Sequence, residues 1–239
     1  VSRAASAALA LAVGCAALAL SGCATAQAYV PAEEATRLQR ELAGRHTFLA
    51  ASMYVTPFFG DATHALLTPW PPDEVRLLEN PDGSPIEPGP VELVLPVGTP
   101  VLVERVEFPS PATMAERVLY TPRSLIWVYL QARGSPRDRQ LVLVLRPGLR
   151  SGDEVRAEIE RSLASRDPSF KLEAWPEAVR EAVRSKKAVL DMSREALEMA
   201  WGLPERIRIE LKGTERVETW RWPGSRAAVL TDGRVTSLP

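Results

Sequence analysis

The sequence predicts an α+β fold in two parts: a small all-β barrel or sandwich, then two helices laid over one face of an antiparallel sheet. Three observations predict it. Residues 46–149 hold several short apolar runs punctuated by Pro and Gly, the pattern of short strands joined by turns. Residues 176–187 and 193–201 carry apolar side chains at three- and four-residue spacing, the period of a half-buried helix. From Arg206 onward apolar and charged residues alternate, with turn dipeptides between the runs.

Near the start of the chain, residues 4–20 form an apolar run preceded by the single charge Arg3 and closed by Leu20-Ser21-Gly22-Cys23. A run this short, ending in small residues, reads as a cleaved signal over residues 1–22. Leu-Ser-Gly-Cys resembles the lipobox of bacterial lipoproteins. That resemblance implies acylation of Cys23, a lipid anchor in the outer membrane and a protein held at its periplasmic face. Ala24 follows the cysteine where some bacteria use Asp to retain lipoproteins at the inner membrane, a sorting rule that differs among lineages. An ordinary secretory signal cleaved within residues 24–28 is the alternative.

Cleavage takes Cys15 away and leaves Cys23 as the one thiol of residues 23–239, so no intrachain disulfide supports the fold. Stability then rests on apolar packing, for which that length suffices in one core or two smaller ones. The charge is balanced, 29 Lys+Arg against 30 Asp+Glu, and dispersed. Such a balance points to neither nucleic acid nor an anionic membrane as partner.

Residues 23–45 read as a tether and one helix at 33–43, acidic first and basic later, stopping at Gly44. Its thin apolar face of Ala35, Leu38 and Leu42 predicts loose docking. In the β-rich domain, 46–149, the clearest strands are 74–78, 101–108, 125–131 and 140–146. The last two are apolar on both faces and so predict central strands, joined by a polar loop at 134–139. Asn80-Pro81-Asp82-Gly83 has the order of a type I turn. Pro96-Val97-Gly98-Thr99-Pro100-Val101 weakly resembles the entry of bacterial Src-homology-3-like modules, some of which bind cell-wall peptides or polysaccharide. For such a module Tyr54, Trp70 and Tyr120 are the candidate cleft aromatics. Residues 150–167 carry a connecting helix, from Ser151 to about Ser165, with Val155, Ile159 and Leu163 on one stripe. The domain boundary falls near 150 or near 168.

In the last domain, 168–239, Pro176 starts a helix with Val179, Ala182, Val183 and Lys186 at helical spacing. Ser193 caps the next, whose face is Leu197, Ala200 and Trp201 and whose stop is Gly202 followed by Pro204. If Lys212-Gly213 is a two-residue turn, Ile209 faces Arg216 and Ile207 faces Glu218, which sets Trp220 and Trp222 on the apolar side under the helices. The opposite face carries Arg206, Arg208, Glu210, Glu215, Val217, Thr219 and Arg221. A solvated face is the plain reading; an interface with Arg208 and Arg221 as contacts is the functional one.

The run Met192-Ser193-Arg194-Glu195, the Gly202-Leu203-Pro204 stop, the strand Glu218-Thr219-Trp220-Arg221-Trp222 and the closing Asp232-Gly233 hairpin together resemble the SmpA/OmlA-type, or BamE-like, outer-membrane assembly lipoproteins. The resemblance covers about the last third of the chain. It implies a structural or scaffolding subunit of an envelope complex, with a protein partner. Asp191 stands where that family usually has Gly, and Ala196 where Gln or Glu would complete a capping box with Ser193. The family's members are much shorter, so the preceding domain is additional.

Chemistry is sparsely marked. Asp61-Ala62-Thr63-His64 sets an acid and a base within four residues, although exposed loop residues are the plain reading. There is no Gly-x-Ser-x-Gly elbow, phosphate loop, dinucleotide motif or Cys/His cluster, so the sequence predicts no catalysis, no cofactor and no metal. The three C-terminal tryptophans fit a core better than a ligand box. Two functions stay open: an envelope scaffold acting through the C-terminal sheet, or a periplasmic binding module recognising cell-wall material or a small ligand through the β-rich domain.

Overall fold

The computed structural model describes residues 30–238. The signal segment and Cys23 lie outside them. Helix α1 (Ala32–Leu42) is followed by strands β1 (His46–Leu49), β2 (Met53–Phe58), β3 (Asp61–Thr68), β4 (Leu93–Leu95) and β5 (Pro100–Glu107). Then come α2 (Pro111–Glu116), β6 (Trp127–Ala132), β7 (Gln140–Val144), α3 (Gly152–Glu160) and β8 (Leu163–Ala164). The last part holds α4 (Glu177–Arg184), α5 (Arg194–Trp201) and strands β9 (Arg206–Lys212), β10 (Glu215–Arg221), β11 (Ala227–Thr231) and β12 (Arg234–Ser237). Among the described residues no helix is long and apolar enough to cross a membrane.

The first eight strands form one mixed sheet in the order β4-β2-β3-β7-β6-β5-β1-β8. It is open, with β4 and β8 at its edges, and not the closed barrel or sandwich that the short strands predict. Every neighbouring pair is antiparallel except β3 and β7, which run parallel with Ala65 beside Leu141 and Leu67 beside Leu143. The strands β7 and β6 are central, as their two-sided apolar pattern predicts. Val128, Leu130, Leu141 and Leu143 enter a core under α1 and α3, while Trp127, Tyr129, Val142 and Val144 enter a second core on the other face. Burial on both faces is what a strand without polar alternation requires.

Three local expectations change. Residues 74–78 form no strand: prolines 71 and 72 start a 3-10 turn at Pro72–Glu74, with Glu74 N–H donating to Pro71 O, and the chain then runs irregularly with Val75 buried. The connecting helix ends at Glu160 rather than near Ser165, because residues 163 and 164 pair as β8 with Leu49 and Phe48 of β1. The side chains of Val155, Ile159 and Leu163 all join the first core, so the compositional boundary follows β8. Nor is α1 loosely docked. Its Leu38 is fully buried, Glu34 Oε2 accepts from Gly152 N–H at 2.5 Å, and Glu41 forms an ion pair with Arg156.

The C-terminal sheet runs β12-β11-β10-β9, all antiparallel. Ser193 caps α5 by accepting from Ala196 N–H at 3.2 Å. The turn between β9 and β10 is Gly213-Thr214, one residue later than predicted, because the glycine takes positive φ (+66°) at the first central position, as in a type II′ loop. Ile209 therefore faces Glu218 and Ile207 faces Trp220. A slip of two leaves the faces unchanged, so Trp220 and Trp222 are buried under α4 and α5 as expected. They are core and not a ligand box. Trp222 meets Trp201 edge-on at 5.0 Å between ring centroids and donates from Nε1 to Gly202 O at 3.0 Å.

Candidate functional site

The helix-free face of the C-terminal sheet is built by strand alternation alone. Arg206 and Arg208 on β9 and Arg221 on β10 are exposed on it, and Arg206 and Arg221 stand directly opposite each other across the pair. Arg208 reaches Glu210 at 2.8 Å along its own strand. Among the described residues neither Arg206 nor Arg221 has a carboxylate within ion-pair distance. The three arginines thus gather near one end of the face, while Glu210, Lys212 and Glu215 lie toward the turn.

On the other face of the same sheet, β9 outruns the helices. Ile207, Ile209 and Leu211 are 47%, 52% and 78% exposed, although they share the face that buries Trp220. Glu218, which faces Ile209, is fully buried and closes the rim of the covered part. It pairs with Arg194 of α5 and Arg216 and accepts from Trp220 Nε1 at 2.9 Å.

The acid and base of residues 61–64 are not exposed loop residues. Both lie in β3, Asp61 buried and His64 half-buried, with His64 Nδ1 at 2.7 Å from Asp61 Oδ2. Burial raises the Asp61 carboxyl, but hydrogen bonds from the Thr63 hydroxyl and N–H and from His64 outweigh it and hold the group below its ordinary value. The imidazole packs against Phe58, Trp127 and Tyr129, with centroids 5.6 to 5.9 Å away. Among the described residues no hydroxyl or thiol is bonded to Nε2. The dyad ties a turn to an aromatic cluster and lacks the nucleophile of a triad. Nor do three or more His, Cys, Asp or Glu gather there, or elsewhere among the described residues, in a metal-binding group.

The three aromatics proposed for a cleft do not come together. Trp70 lines a cleft of about 550 Å³ with Leu77, Leu203, Pro223, Arg146 and Arg161. Neither Tyr54 nor Tyr120 lines it. Tyr120 is 69% exposed after α2. Tyr54 lies under the Lys186 ammonium, 4.9 Å from ring centroid to Nζ, at the joint between the two parts of the chain.

Nothing in the sequence marks that joint: Lys186 has the spacing of one more helix-face position. Its side chain is 3% exposed, and Nζ donates to Ser52 O at 2.7 Å and to Ala200 O at 3.0 Å. Ser52 Oγ in turn donates to Val183 O and accepts from Val97 N–H. Beside them Arg226 Nε donates to Glu74 Oε2 at 2.7 Å, and Gly224 passes so close to Glu74 that a Cβ there would meet its Cγ at 2.5 Å. Desolvation, aided by the nearby Arg226 charge and opposed by Glu74, holds the Lys186 amine well below its ordinary value. This is an ordering device: two of its donors are spent on backbone carbonyls.

No family model, characterised protein or solved structure matches this chain.

Proposed function

We propose that this chain is a non-enzymatic lipoprotein of the bacterial envelope, anchored through Cys23 at the periplasmic face of the outer membrane and acting as a scaffold that holds an acidic protein partner on the helix-free face of its C-terminal sheet. The observation that carries the reading is the opposed pair Arg206 and Arg221, both exposed and, among the described residues, without a carboxylate at ion-pair distance, beside exposed Arg208. Like charges directly opposite on a sheet destabilise it, by up to about 1 kcal/mol. An acidic partner would convert that cost into affinity, and arginine suits such a contact because its planar fork binds carboxylates in pairs. The BamE-like residues of the last third support the same reading.

The test is in-cell crosslinking of the full chain followed by identification of what is captured. Arg208→Glu together with Arg221→Glu should abolish capture of an envelope protein without lowering the melting temperature, since Arg221→Glu sets an opposite charge against Arg206, and should leave membrane fractionation unchanged. Persistent capture would overturn the reading. The cleft beside Trp70 favours the second function, a periplasmic module for cell-wall material or a small ligand. Loss of capture on altering Trp70, and not the arginines, would move the assignment there.

A further inference from the structure

The strand β9 is an uncovered edge of the C-terminal sheet. At the far side of the sheet β12 is covered: Asp191 N–H donates to Val235 O, Val235 N–H to Met192 O and Arg194 N–H to Gly233 O. Nothing among the described residues covers β9. It has no proline, and every inward-facing position is apolar. A long edge of this kind is a template for another strand.

The hydrogen-bond phase fixes which backbone groups are free. Asp232 N–H donates to Arg216 O and Trp222 N–H to Arg226 O, so the even-numbered residues of β10 bond to β11 and the odd-numbered ones to β9. Their β9 partners are Arg206, Arg208, Glu210 and Lys212. The N–H and C=O groups of Ile207, Ile209 and Leu211 therefore point out of the free edge, on the residues whose side chains are exposed and apolar.

We infer that this edge pairs antiparallel with the same edge of a second copy of the chain, joining two C-terminal sheets into one. It rests on the reading of this sheet as a docking element. The occupant follows from self-complementarity. With the two-fold axis at Ile209, Ile209 faces its counterpart, Ile207 faces Leu211 twice, and Arg208 faces Glu210 twice on the other side. A shift of two one way sets Arg208 against itself and Leu211, the most exposed of the three, against Glu205; the other way sets Glu210 against itself. In the favoured register the one like-charged match, Arg206 with Lys212, falls at the strand ends, where both side chains reach water. The pairing would also put two arginine clusters on one continuous face.

Sedimentation velocity of the full chain in mild detergent, across a concentration series, tests this. The wild type should reach the mass of two chains, and Ile209→Lys should weaken self-association at least about tenfold, because the axis counts the change twice. Arg208→Glu alone should weaken the dimer, and Arg208→Glu with Glu210→Arg should restore it by re-forming the pairs with opposite polarity. A wild type of single-chain mass throughout, a dimer indifferent to Ile209→Lys, or failure of the charge swap to restore it would each overturn the inference. So would a single-chain protein that loses an envelope partner on Ile209→Lys, since a foreign strand would then occupy the edge. If the dimer is absent while capture still depends on Arg221, this inference fails and the proposed function stands.

Discussion

Replacing Trp220 with alanine tests the face assignment on which both proposals stand. The side chain is fully exclosed from solvent at 0% exposure, packs 5.9 Å from the Trp222 ring, and lies beneath the Arg194 guanidinium at 5.7 Å. Truncating a buried tryptophan costs about 3 to 5 kcal/mol in lost transfer energy and residual cavity. The substitution also removes the Nε1 donor to Glu218, but Arg194 and Arg216 remain with that carboxylate, so the added loss is about 1 kcal/mol. The total is about 4 to 6 kcal/mol; for a chain of this size each kcal/mol lowers the melting temperature by about 2–4 °C, which gives a fall of roughly 8–24 °C if the two parts melt together. Thermal unfolding followed by circular dichroism measures it, with Leu190→Ser, at a position 62% exposed, as the control that should move little. Trp220→Phe should fall between the two. A drop of less than about 2 °C in the alanine variant would place Trp220 outside the core and invert both faces of the sheet.

Two further outcomes are expected. Because Lys186 is depressed in the folded chain, the unfolded chain binds more protons between its folded value and its ordinary one; stability should therefore rise with pH across that window, measurable as urea midpoints between about pH 8 and about pH 10, and Lys186→Met should remove that part of the rise. An identical pH slope in the variant would mean that the amine is not desolvated as described. Cys23→Ser should move the protein from the membrane fraction to the soluble periplasm; a variant that still floats with membranes would count against lipidation.

What the sequence made legible was whatever depends on period and not on register. The central strands were readable because Leu125 to Leu130 and Leu141 to Leu145 lack polar alternation, and only two covered faces tolerate that. Helix α5 was readable from Ser193 and Gly202. The C-terminal faces survived a wrong turn, since misplacing Gly213 slipped the ladder by two and side chains repeat every two. The hairpin of β2 and β3 was hidden by Pro57, by the bulge beside it and by polar Asp61 and His64, which break the apolar pattern of a strand. Nothing local marks β8, two residues long, or the parallel contact of β3 with β7; both are decided by chain closure. The joint at Lys186 was invisible because a buried lysine and a solvated one have the same spelling. Only the three-dimensional arrangement shows the carbonyls that replace its water. Of the candidate sites, the arginine face was read correctly as a face, while the proposed aromatic cleft was dispersed because its three members sit on unrelated segments.

The pairing of β1 with β8 has a consequence for how the chain folds. It joins residues 48 and 49 to residues 163 and 164, and α1 packs on α3 across a similar span, so the first sheet is incomplete until nearly all of its sequence is present. Closing so long a loop costs entropy before any contact rewards it, and ladders of this kind form slowly. The C-terminal sheet is the reverse case: β9, β10, β11 and β12 are successive hairpins with short turns, and their contacts are local. During synthesis the first part waits for its own end, whereas the second has its strands in order as soon as they emerge.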